Sequence, residues 1–259
     1  MCSNIVKVDN GFVRLVDTMP REDLDTSIVQ AARVSYAEGT TTTRNDEGLI
    51  RYLLRHWHTT PFEMVEFKFH IKMPIFTARQ HLRHRTASVN EMSARYSIVP
   101  SEYFLPDSYR GQSTVNKQSS EGELGLAMDG TRNNCDSSFE LYNDLIDQGC
   151  CRELARIHLP QATYTEFYWK INLHNLMHYL RLRMEPGAQK EIRDYANAIF
   201  DLVKPLAPFT MKAFEDYRLN SMQLSAIEVE CIRTKTFPNS PGEKREFIAK
   251  IEKLGINIE

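Results

Sequence analysis

The sequence predicts an α+β protein, because strand patterns and helix patterns occupy separate stretches of the chain. Residues 65–73 alternate apolar and polar side chains without a break, which is the period of a strand with one buried face. Residues 5–16 contain two apolar runs around Asp9-Asn10-Gly11, a sequence typical of a β-hairpin with a tight turn at positive φ angles. Elsewhere, apolar residues at three- and four-residue steps predict helices.

Helices are expected on both sides of this strand. They are predicted over residues 22–36, 47–57, 75–82, 134–157, 163–184 and 188–203. Residues 39–43 are predicted to form a loop, and the polar, glycine-containing residues 107–134 a flexible surface insertion or lid. A short helical segment at 209–217 and a short charged helix after Pro241 complete the chain. We expect one domain over residues 1–220 and a helical, charged extension over residues 221–259.

Composition restricts the classes of function. The chain has 259 residues, of which 42% are hydrophobic and 25% charged, values that are ordinary for a globular protein. A net charge of −2 argues against bulk nucleic-acid binding. The five cysteines are odd in number and form no Cys-x-x-Cys pair, which favours a reducing compartment. No signal-peptide pattern and no membrane-length apolar stretch is found, so we expect a cytoplasmic protein without membrane contact.

Residues 79–97 contain the clearest candidate site. Four arginines lie there with a single acid, Glu91, and with interleaved serine, asparagine and tyrosine side chains. Arginine offers a planar fork of donors that suits phosphate and stays charged at any working pH. A basic stretch can also be a merely solvated loop. The interleaved polar groups favour a site for one small anion.

Two other stretches could contribute chemistry. His58 to Glu63 surrounds Pro61, which disfavours helix at the preceding residue and predicts a stiff turn. In the predicted helix 163–184, Asn172 and Arg183 fall nearly in line, whereas His174 and His178 lie on another face at the i, i+4 spacing of zinc helices. The glutamate that metalloproteases place after the first histidine is missing. The sequence contains no glycine-rich phosphate loop, dinucleotide fingerprint or Gly-x-Ser-x-Gly elbow.

The segment Arg83–Tyr96 matches the pattern RHRxxSxNExSxRY at nine fixed positions within fourteen. It is similar to the signature of the flavin-dependent thymidylate synthases. Three other features lie in the order that this family shows: the His58-x-x-Pro61-Phe62-Glu63 turn, Arg156 and the Asn172–Arg183 segment. The resemblance therefore covers about residues 5–217. It implies an α+β fold in which a twisted, mainly antiparallel sheet is flanked by helices in a single domain. It also implies a homotetramer with sites at the subunit interfaces.

The resemblance also implies an activity. The family methylates dUMP reductively to dTMP, using 5,10-methylenetetrahydrofolate as the one-carbon donor and NADPH as the reductant by way of FAD, without a cysteine nucleophile. Two hypotheses from other classes stay open at this point. One is a non-catalytic nucleotide- or RNA-binding module that uses the arginine cluster, and the other is a zinc hydrolase that uses His174 and His178.

Site residues follow from the resemblance position by position. Arg183 is the expected catalytic residue, because a cation beside the pyrimidine would stabilise negative charge on the ring. Contacts to dUMP are implied for Gln80, His81, Leu82, Arg83, Glu91, Met92, Ser93, Ala94, Arg95, Arg156 and Arg183. Contacts to FAD are implied for Thr60, Glu63, Arg83, His84, Arg85, Glu91, Asn172, His174 and His178. His58 would lie near the folate and flavin rings, and no metal is implied.

Overall fold

A computed structural model describes residues 4–35, 46–114 and 119–257. The chain forms two compact units, Met1–Phe214 and Glu215–Glu259. The first unit contains a five-stranded antiparallel sheet of order β1-β2-β3-β7-β4. Its strands are β1 (Ile5–Val8), β2 (Gly11–Met19), β3 (Glu66–Pro74), β4 (Ser88–Glu91) and β7 (Tyr164–Asn172). The predicted α+β class with a mainly antiparallel sheet is therefore confirmed.

The strand predicted over residues 65–73 is the central strand β3. Phe67, Phe69, Ile71 and Met73 are buried, and the residues between them are partly exposed. β3 pairs with β2 on one side and along its whole length with β7 on the other. The period of two in the sequence thus results from a strand with one face against the core.

The N-terminal hairpin is also present, but its turn differs from the prediction. Asp9 and Asn10 form the turn, and the positive φ angle, 50°, belongs to Asp9. Gly11 is the first residue of β2. A Cβ atom there would lie 2.1 Å from the hydroxyl oxygen of Tyr195 and 2.3 Å from the carbonyl oxygen of Lys72. Glycine is needed at this position for close packing.

Helices flank the sheet. The first four are α1 (Leu24–Arg33), α2 (Asp46–Arg55), α3 (Thr60–Glu63) and α4 (Ile75–His81). Those that follow in this unit are α5 (Asp129–Asp147), α6 (Arg152–Ala155), α7 (Leu173–Arg183), α8 (Lys190–Val203) and α9 (Pro208–Phe214). The helices predicted at 22–36, 47–57, 75–82 and 188–203 are confirmed with small changes at their ends, and the predicted loop 39–43 lies outside the described residues. α8 packs against β1 and β2 and also contacts α4 and α7.

The helix predicted over residues 163–184 is wrong in its first half. Tyr164–Asn172 is strand β7, in which Phe167, Trp169 and Ile171 are buried and Tyr168 and Lys170 are exposed. This alternation, together with the aromatic and β-branched content of the stretch, is a strand signal that the helical interpretation overlooked. Asn172 therefore does not share a helix face with Arg183. It is the residue that caps the N-terminus of α7.

Two further predictions need correction. The insertion at 107–134 is not entirely a loop, because β5 (Arg110–Gln112) and β6 (Ser120–Glu123) form an antiparallel hairpin within it and α5 already begins at Asp129. The predicted helix 134–157 ends early. Gly149 adopts a φ angle of 84° just after α5, a conformation that closes helices and favours glycine. A separate short helix, α6, and a 3-10 turn at Arg156–His158 follow.

In the first unit, Asp25 of α1 is hydrogen-bonded to the start of α9. Its carboxylate accepts hydrogen bonds from the backbone N–H groups of Phe209 (2.8 Å) and Thr210 (3.1 Å) and from the Thr210 hydroxyl (2.6 Å). Asp25 is buried. Hydrogen bonds to a charged group each contribute about 1.5–3 kcal/mol, and a partner left unsatisfied in the interior adds a penalty.

We therefore expect Asp25→Asn to lower the free energy of unfolding by about 2 kcal/mol, because the amide can accept fewer of these bonds. Urea titration followed by circular dichroism measures the change. Asp23→Asn is the matched control, since Asp23 is exposed, makes no capping hydrogen bond and has a left-handed backbone that asparagine tolerates. Equal stability of both variants would show that the Asp25 carboxylate does not anchor α9.

The second unit contains a π-helical turn, α10 (Ala226–Thr234) and α11 (Pro241–Leu254). Ser225 and Glu228 form a reciprocal capping box at the start of α10. Cys231, Phe247 and Ile251 form a small apolar core between these two helices. α11 is longer than the short charged helix expected, and α10 was not predicted. None of the described helices is long and apolar enough to cross a membrane.

Candidate functional site

The arginine-rich stretch 79–97 is a helix end, a turn and an edge strand. α4 supplies Gln80 near its C-terminus, and Ser88–Glu91 pairs with β7 as the last strand of the sheet. The backbone N–H of Met92 continues this ladder by donating to the carbonyl of Glu166 at 2.9 Å. The motif is therefore mounted on regular structure, which argues against a merely solvated loop.

Arg183, at the C-terminus of α7, meets the same stretch. Its Nε atom donates to Nε2 of His84 at 2.9 Å, and its Nη2 atom donates to the main-chain carbonyl of Gln80 at 3.4 Å. The ring of His178 lies 6.1 Å from that of His84 in an edge-on arrangement. Gln80, His84, His178 and Arg183 thus form one group, which we call the Arg183 cluster. Two of the predicted motifs come together in it although they are distant in the sequence.

The protonation state of His84 fits this geometry. Burial, helped by the positive charge of Arg183 and by the nearby His178, lowers the pKa of His84 to about 4. The imidazole is therefore neutral near pH 7, and its Nε2 lone pair accepts the hydrogen bond from Arg183. Because arginine cannot accept, this contact fixes the proton of His84 on Nδ1. His84 holds the guanidinium in place without neutralising its charge.

A second group of arginines lies around the turn at 93–97. The backbone N–H groups of Tyr96 and Ser97 donate to the carbonyl of Ser93, at 3.0 and 3.1 Å, and the N–H of Arg95 donates to the Ser93 hydroxyl at 3.3 Å. Arg95 makes an ion pair with Glu153 of α6, with 3.2 Å between Nε and Oε2. Arg156, which is exposed, begins the 3-10 turn directly after α6. Arg95 and the segment that contains Arg156 therefore share one surface.

Apolar packing fixes this second group. Val99, Phe139, Tyr142 and Ala155 form a buried cluster, against which Ala94 packs. The hydroxyl of Tyr142 accepts a hydrogen bond from the backbone N–H of Val99 at 3.0 Å. The turn at 93–97 is thereby joined to α5 and α6.

Glu91 lies at the end of β4. Its Oε1 atom accepts a hydrogen bond from the Thr165 hydroxyl at 2.6 Å, across the strand pair formed with β7. The residue is otherwise exposed, as is Ser88. One carboxylate oxygen is used inside the sheet, and the other is available to a ligand.

The residues with implied FAD contacts lie on α3, on α7 and its capping residue, and on the turn and strand that follow α4. α3 contains Thr60 and Glu63 and contacts α7. The side-chain oxygen of Asn172 accepts the backbone N–H of Asn175 at 2.9 Å and so caps α7, which leaves its amide N–H groups to donate elsewhere. His174 is half-buried in the first turn of α7. Arg83 and Arg85 are exposed in the turn between α4 and β4, with the half-buried Leu82 before them.

His58 lies between α2 and α3. Its ring stacks on Tyr52 at 5.9 Å between centroids, and its backbone N–H donates to the carbonyl of Leu53. The side chain is exposed. These contacts attach His58 to the end of α2, and none of those described joins it to the Arg183 cluster.

The structure places His81 in the core. It is completely buried, its Nδ1 atom lies 2.9 Å from the hydroxyl oxygen of Tyr179, and the ring packs edge-on against Trp169 at 4.3 Å. Burial, with smaller contributions from His84 and Arg183, lowers the pKa of His81 to about 3. His81 therefore supports the sheet under α4 as a neutral side chain.

This burial predicts a pH dependence of stability. Histidine in the unfolded chain binds a proton below about pH 6.5, whereas the folded protein does so only near pH 3, so stability falls as the pH decreases through this interval. Between pH 7.5 and pH 5, the free energy of unfolding of the wild type should fall by about 2 kcal/mol more than that of the His81→Asn variant. Urea titrations at both pH values measure the difference. Parallel losses in the two proteins would contradict a neutral, buried His81.

No group of three or more histidine, cysteine, aspartate or glutamate side chains in the described part of the chain could hold a metal ion. His174 and His178 therefore find no third ligand there. Zinc sites in enzymes use three protein ligands. This arrangement gives the zinc-hydrolase hypothesis no support.

The sequence matches a family model described as thymidylate synthase complementing protein over residues 14–209. A flavin-dependent thymidylate synthase of Dictyostelium discoideum is 52% identical over 254 residues, which are 93% of this chain and 84% of the relative. The chain belongs to the flavin-dependent thymidylate synthase family. A further family member, from Thermus thermophilus, is 53% identical over 87% of this chain and 83% of its own length.

Solved structures extend the comparison. A UMP/dUMP methylase, PolB from Streptomyces cacaoi, bound with 5-Br UMP, superposes with a TM-score of 0.74 at 34% identity, covering 82% of this chain and 97% of that one. The same protein bound with 5-Br dUMP gives a TM-score of 0.73. Membership of the flavin-dependent thymidylate synthase family makes the chain an enzyme of the methyltransferase type and argues against a non-catalytic binding module.

Sequence reasoning missed a polar group that adjoins the Arg183 cluster. The amide of Gln80 donates to the side-chain oxygen of Gln189, and the amide of Gln189 donates to Glu191 at 2.7 Å. Glu191 also pairs with Arg110 of β5. A glutamine and a glutamate at the start of a helix suggest only capping, and the partner Arg110 lies in the stretch interpreted as a loop. Their connection depends on the tertiary fold.

Proposed function

We propose that this chain methylates dUMP to dTMP as a flavin-dependent thymidylate synthase. It would take the one-carbon unit from 5,10-methylenetetrahydrofolate and reducing equivalents from NADPH by way of FAD. The observation that supports this most directly is the contact of Arg183 with both His84 and Gln80, because it joins the family signature to the far end of α7. The solved relative described as a UMP/dUMP methylase points in the same direction.

Arg183 is the proposed catalytic residue. Carbon 5 of uracil is a weak nucleophile, and negative charge that develops on the ring must be stabilised. A guanidinium held beside the pyrimidine carbonyl oxygens would provide that stabilisation without reorganising during the reaction. The neutral His84 supports this role, since it orients Arg183 and leaves its charge intact.

The proposed phosphate site is the turn at 93–97 with Arg95 and Arg156. Ser93 offers a hydroxyl and Arg95 a guanidinium fork, both of which suit a phosphate dianion. The pair between Arg95 and Glu153 is half-exposed on both sides, so exchanging this partner for phosphate costs little. Glu91 and the main chain of Met92 and Ala94 complete the proposed contacts with the nucleotide.

The residues present fit FAD in the chemistry of their donors. Arg83 and Arg85 are exposed, and neither forms an ion pair within the described residues, so both are available to a pyrophosphate. Thr60, Glu63, Asn172, His174 and His178 would supply the polar contacts on the α3 and α7 side. FAD, when bound, supplies hydride transfer. The chain supplies orientation and charge, with His58 proposed near the flavin and folate rings.

A cysteine nucleophile has no place in this proposal. Cys135 and Cys231 are buried, and burial raises the pKa of the Cys135 thiol. A thiol in such surroundings is a poor nucleophile.

We also propose that the enzyme is a cytoplasmic homotetramer with its sites at subunit interfaces. Large apolar side chains are exposed on the segments that contain the arginines and on the neighbouring strand β7. They are Val89, Tyr96, Ile98, Leu154, Ile157 and Tyr168. Exposed apolar groups concentrated in this way are typical of surfaces covered by another chain. Light scattering on the purified protein would give four chain masses if this is correct.

The proposed reaction is tested by a product assay with dUMP, methylenetetrahydrofolate, NADPH and FAD. We expect dTMP to form and tritium to be released from [5-³H]dUMP. Both signals should disappear when dUMP, methylenetetrahydrofolate or NADPH is left out, or when the protein is freed of flavin and none is added. Formation of dTMP without added or bound flavin would contradict the proposed route. Complete inactivity of the flavin-loaded protein would contradict the function.

A further inference from the structure

Four polar side chains form a continuous hydrogen-bonded chain from the β5–β6 hairpin to α4. Nη2 of Arg110 donates to Oε1 of Glu191 at 2.5 Å, and Nε2 of Gln189 donates to Oε2 of the same carboxylate at 2.7 Å. Nε2 of Gln80 then donates to Oε1 of Gln189. We call Arg110, Glu191, Gln189 and Gln80 the amide relay.

The carboxylate determines the direction of every hydrogen bond in the amide relay. Burial opposes ionisation of Glu191, whose side chain is only 6% exposed, but the hydrogen bonds from Arg110 and Gln189 outweigh it and keep its pKa below the usual value. An ionised carboxylate can only accept. Gln189 must therefore turn its NH₂ group to Glu191 and its oxygen to Gln80, and Gln80 must turn its NH₂ group to Gln189. The carbonyl oxygen Oε1 of Gln80 is left for another donor.

Gln80 lies beside Arg183. The guanidinium of Arg183 donates to the main-chain carbonyl of Gln80 at 3.4 Å, which places a donor-only group next to the amide relay. In the described part of the chain, no hydrogen-bond donor reaches Oε1 of Gln80. A base that lies against both residues would meet the N–H donors of Arg183 and one acceptor, Oε1 of Gln80.

This pattern complements uracil and not cytosine. The imide edge of uracil presents carbonyl oxygens on either side of an N3–H donor. In cytosine, N3 is an acceptor and the neighbouring 4-position bears an amino donor. A base with the wrong pattern leaves site groups unpaired, which is the strongest source of discrimination that a binding site has. A freely rotating glutamine would discriminate poorly, because its amide could turn and present N–H groups to N3 of cytosine.

We infer that Arg110, Gln189 and Glu191 are positioning residues that lock the Gln80 amide with its carbonyl oxygen toward N3–H of uracil, so that the enzyme selects dUMP against dCMP. The inference rests on the proposed function and on the dUMP contact that the family resemblance implies for Gln80. It adds a specificity role for three residues that need not touch the substrate.

The test compares dUMP and dCMP binding to FAD-loaded wild type, Glu191→Gln and Gln189→Leu by isothermal titration calorimetry. A glutamine at 191 can both donate and accept, so it no longer sets the direction of the amides. Leucine at 189 breaks the link but leaves the pair between Arg110 and Glu191 intact. We expect the wild type to prefer dUMP by about a hundredfold and both variants to reduce that preference about tenfold. The flavin absorption spectrum and melting temperature show that each variant is folded and loaded.

Lys190→Gln is the matched control. Lys190 neighbours Glu191 on α8, is exposed, and pairs with Asp194 outside the amide relay. The Lys190→Gln variant should keep the wild-type preference for dUMP over dCMP. A wild-type ratio of dUMP to dCMP affinity in Gln189→Leu would overturn the inference, as would an equal weakening of both nucleotides. Wild-type protein that binds flavin but neither nucleotide would instead overturn the proposed function, so the two failures are distinguishable.

Discussion

Arg183→Ala should leave FAD bound and reduce dUMP methylation by about 10²–10³-fold, as the loss of one preorganised donor to a developing charge does in other enzymes. Arg183 is only partly buried and contributes two hydrogen bonds, to His84 and to the carbonyl of Gln80. The fold should therefore survive. The rate of tritium release from [5-³H]dUMP measures the effect, and the flavin spectrum reports cofactor binding in the same sample.

Arg181→Ala is the control for this variant. Arg181 lies two residues earlier on α7 and has the same charge, so the change in net charge is identical. We expect it to keep most of the activity. Wild-type turnover by Arg183→Ala would remove Arg183 from the catalytic role, and loss of FAD from that variant would indicate that the residue serves the flavin instead.

Arg95→Ala should weaken dUMP binding by about 2–4 kcal/mol, through the loss of charged hydrogen bonds to the phosphate. The side chains of Arg95 and Glu153 are 56% and 52% exposed, so the ion pair between them contributes little to stability and its loss should not unfold the protein. Titration of the FAD-loaded variant with dUMP measures the affinity.

The phosphate itself provides the control. Deoxyuridine lacks the phosphate, so its affinity should be the same in wild type and Arg95→Ala. Glu153→Gln removes the competing partner of Arg95 and should bind dUMP at least as well as the wild type. Unchanged dUMP affinity in Arg95→Ala would show that the phosphate binds elsewhere.

The parts of the fold that were predictable depend on local pattern. β3 was evident because each buried side chain alternates with an exposed one, and the signature at 83–96 was evident because its residue types and spacing are specific. β7 was misassigned since it runs directly into α7 at Asn172, and the apolar residues of the two elements together imitate one long helix. The alternation of Phe167, Trp169 and Ile171 could have separated them.

The contacts within the site could not be predicted in the same way. That Arg183 donates to His84 depends on where the end of α7 meets the turn after α4. That Arg110 meets Glu191 depends on a hairpin in a stretch with little apolar content. The surroundings of His81 also depend on the tertiary fold. A histidine inside a basic motif suggests a ligand contact, yet the fold buries it against Tyr179 and Trp169.

A crystal structure of the protein with FAD and dUMP tests the central claim most directly. We expect the uracil ring within hydrogen-bond distance of Arg183 and of the Gln80 side-chain oxygen, the phosphate on Arg95 and Arg156, and the flavin stacked beside the base. A nucleotide bound away from the Arg183 cluster, at full occupancy and with FAD in place, would contradict it.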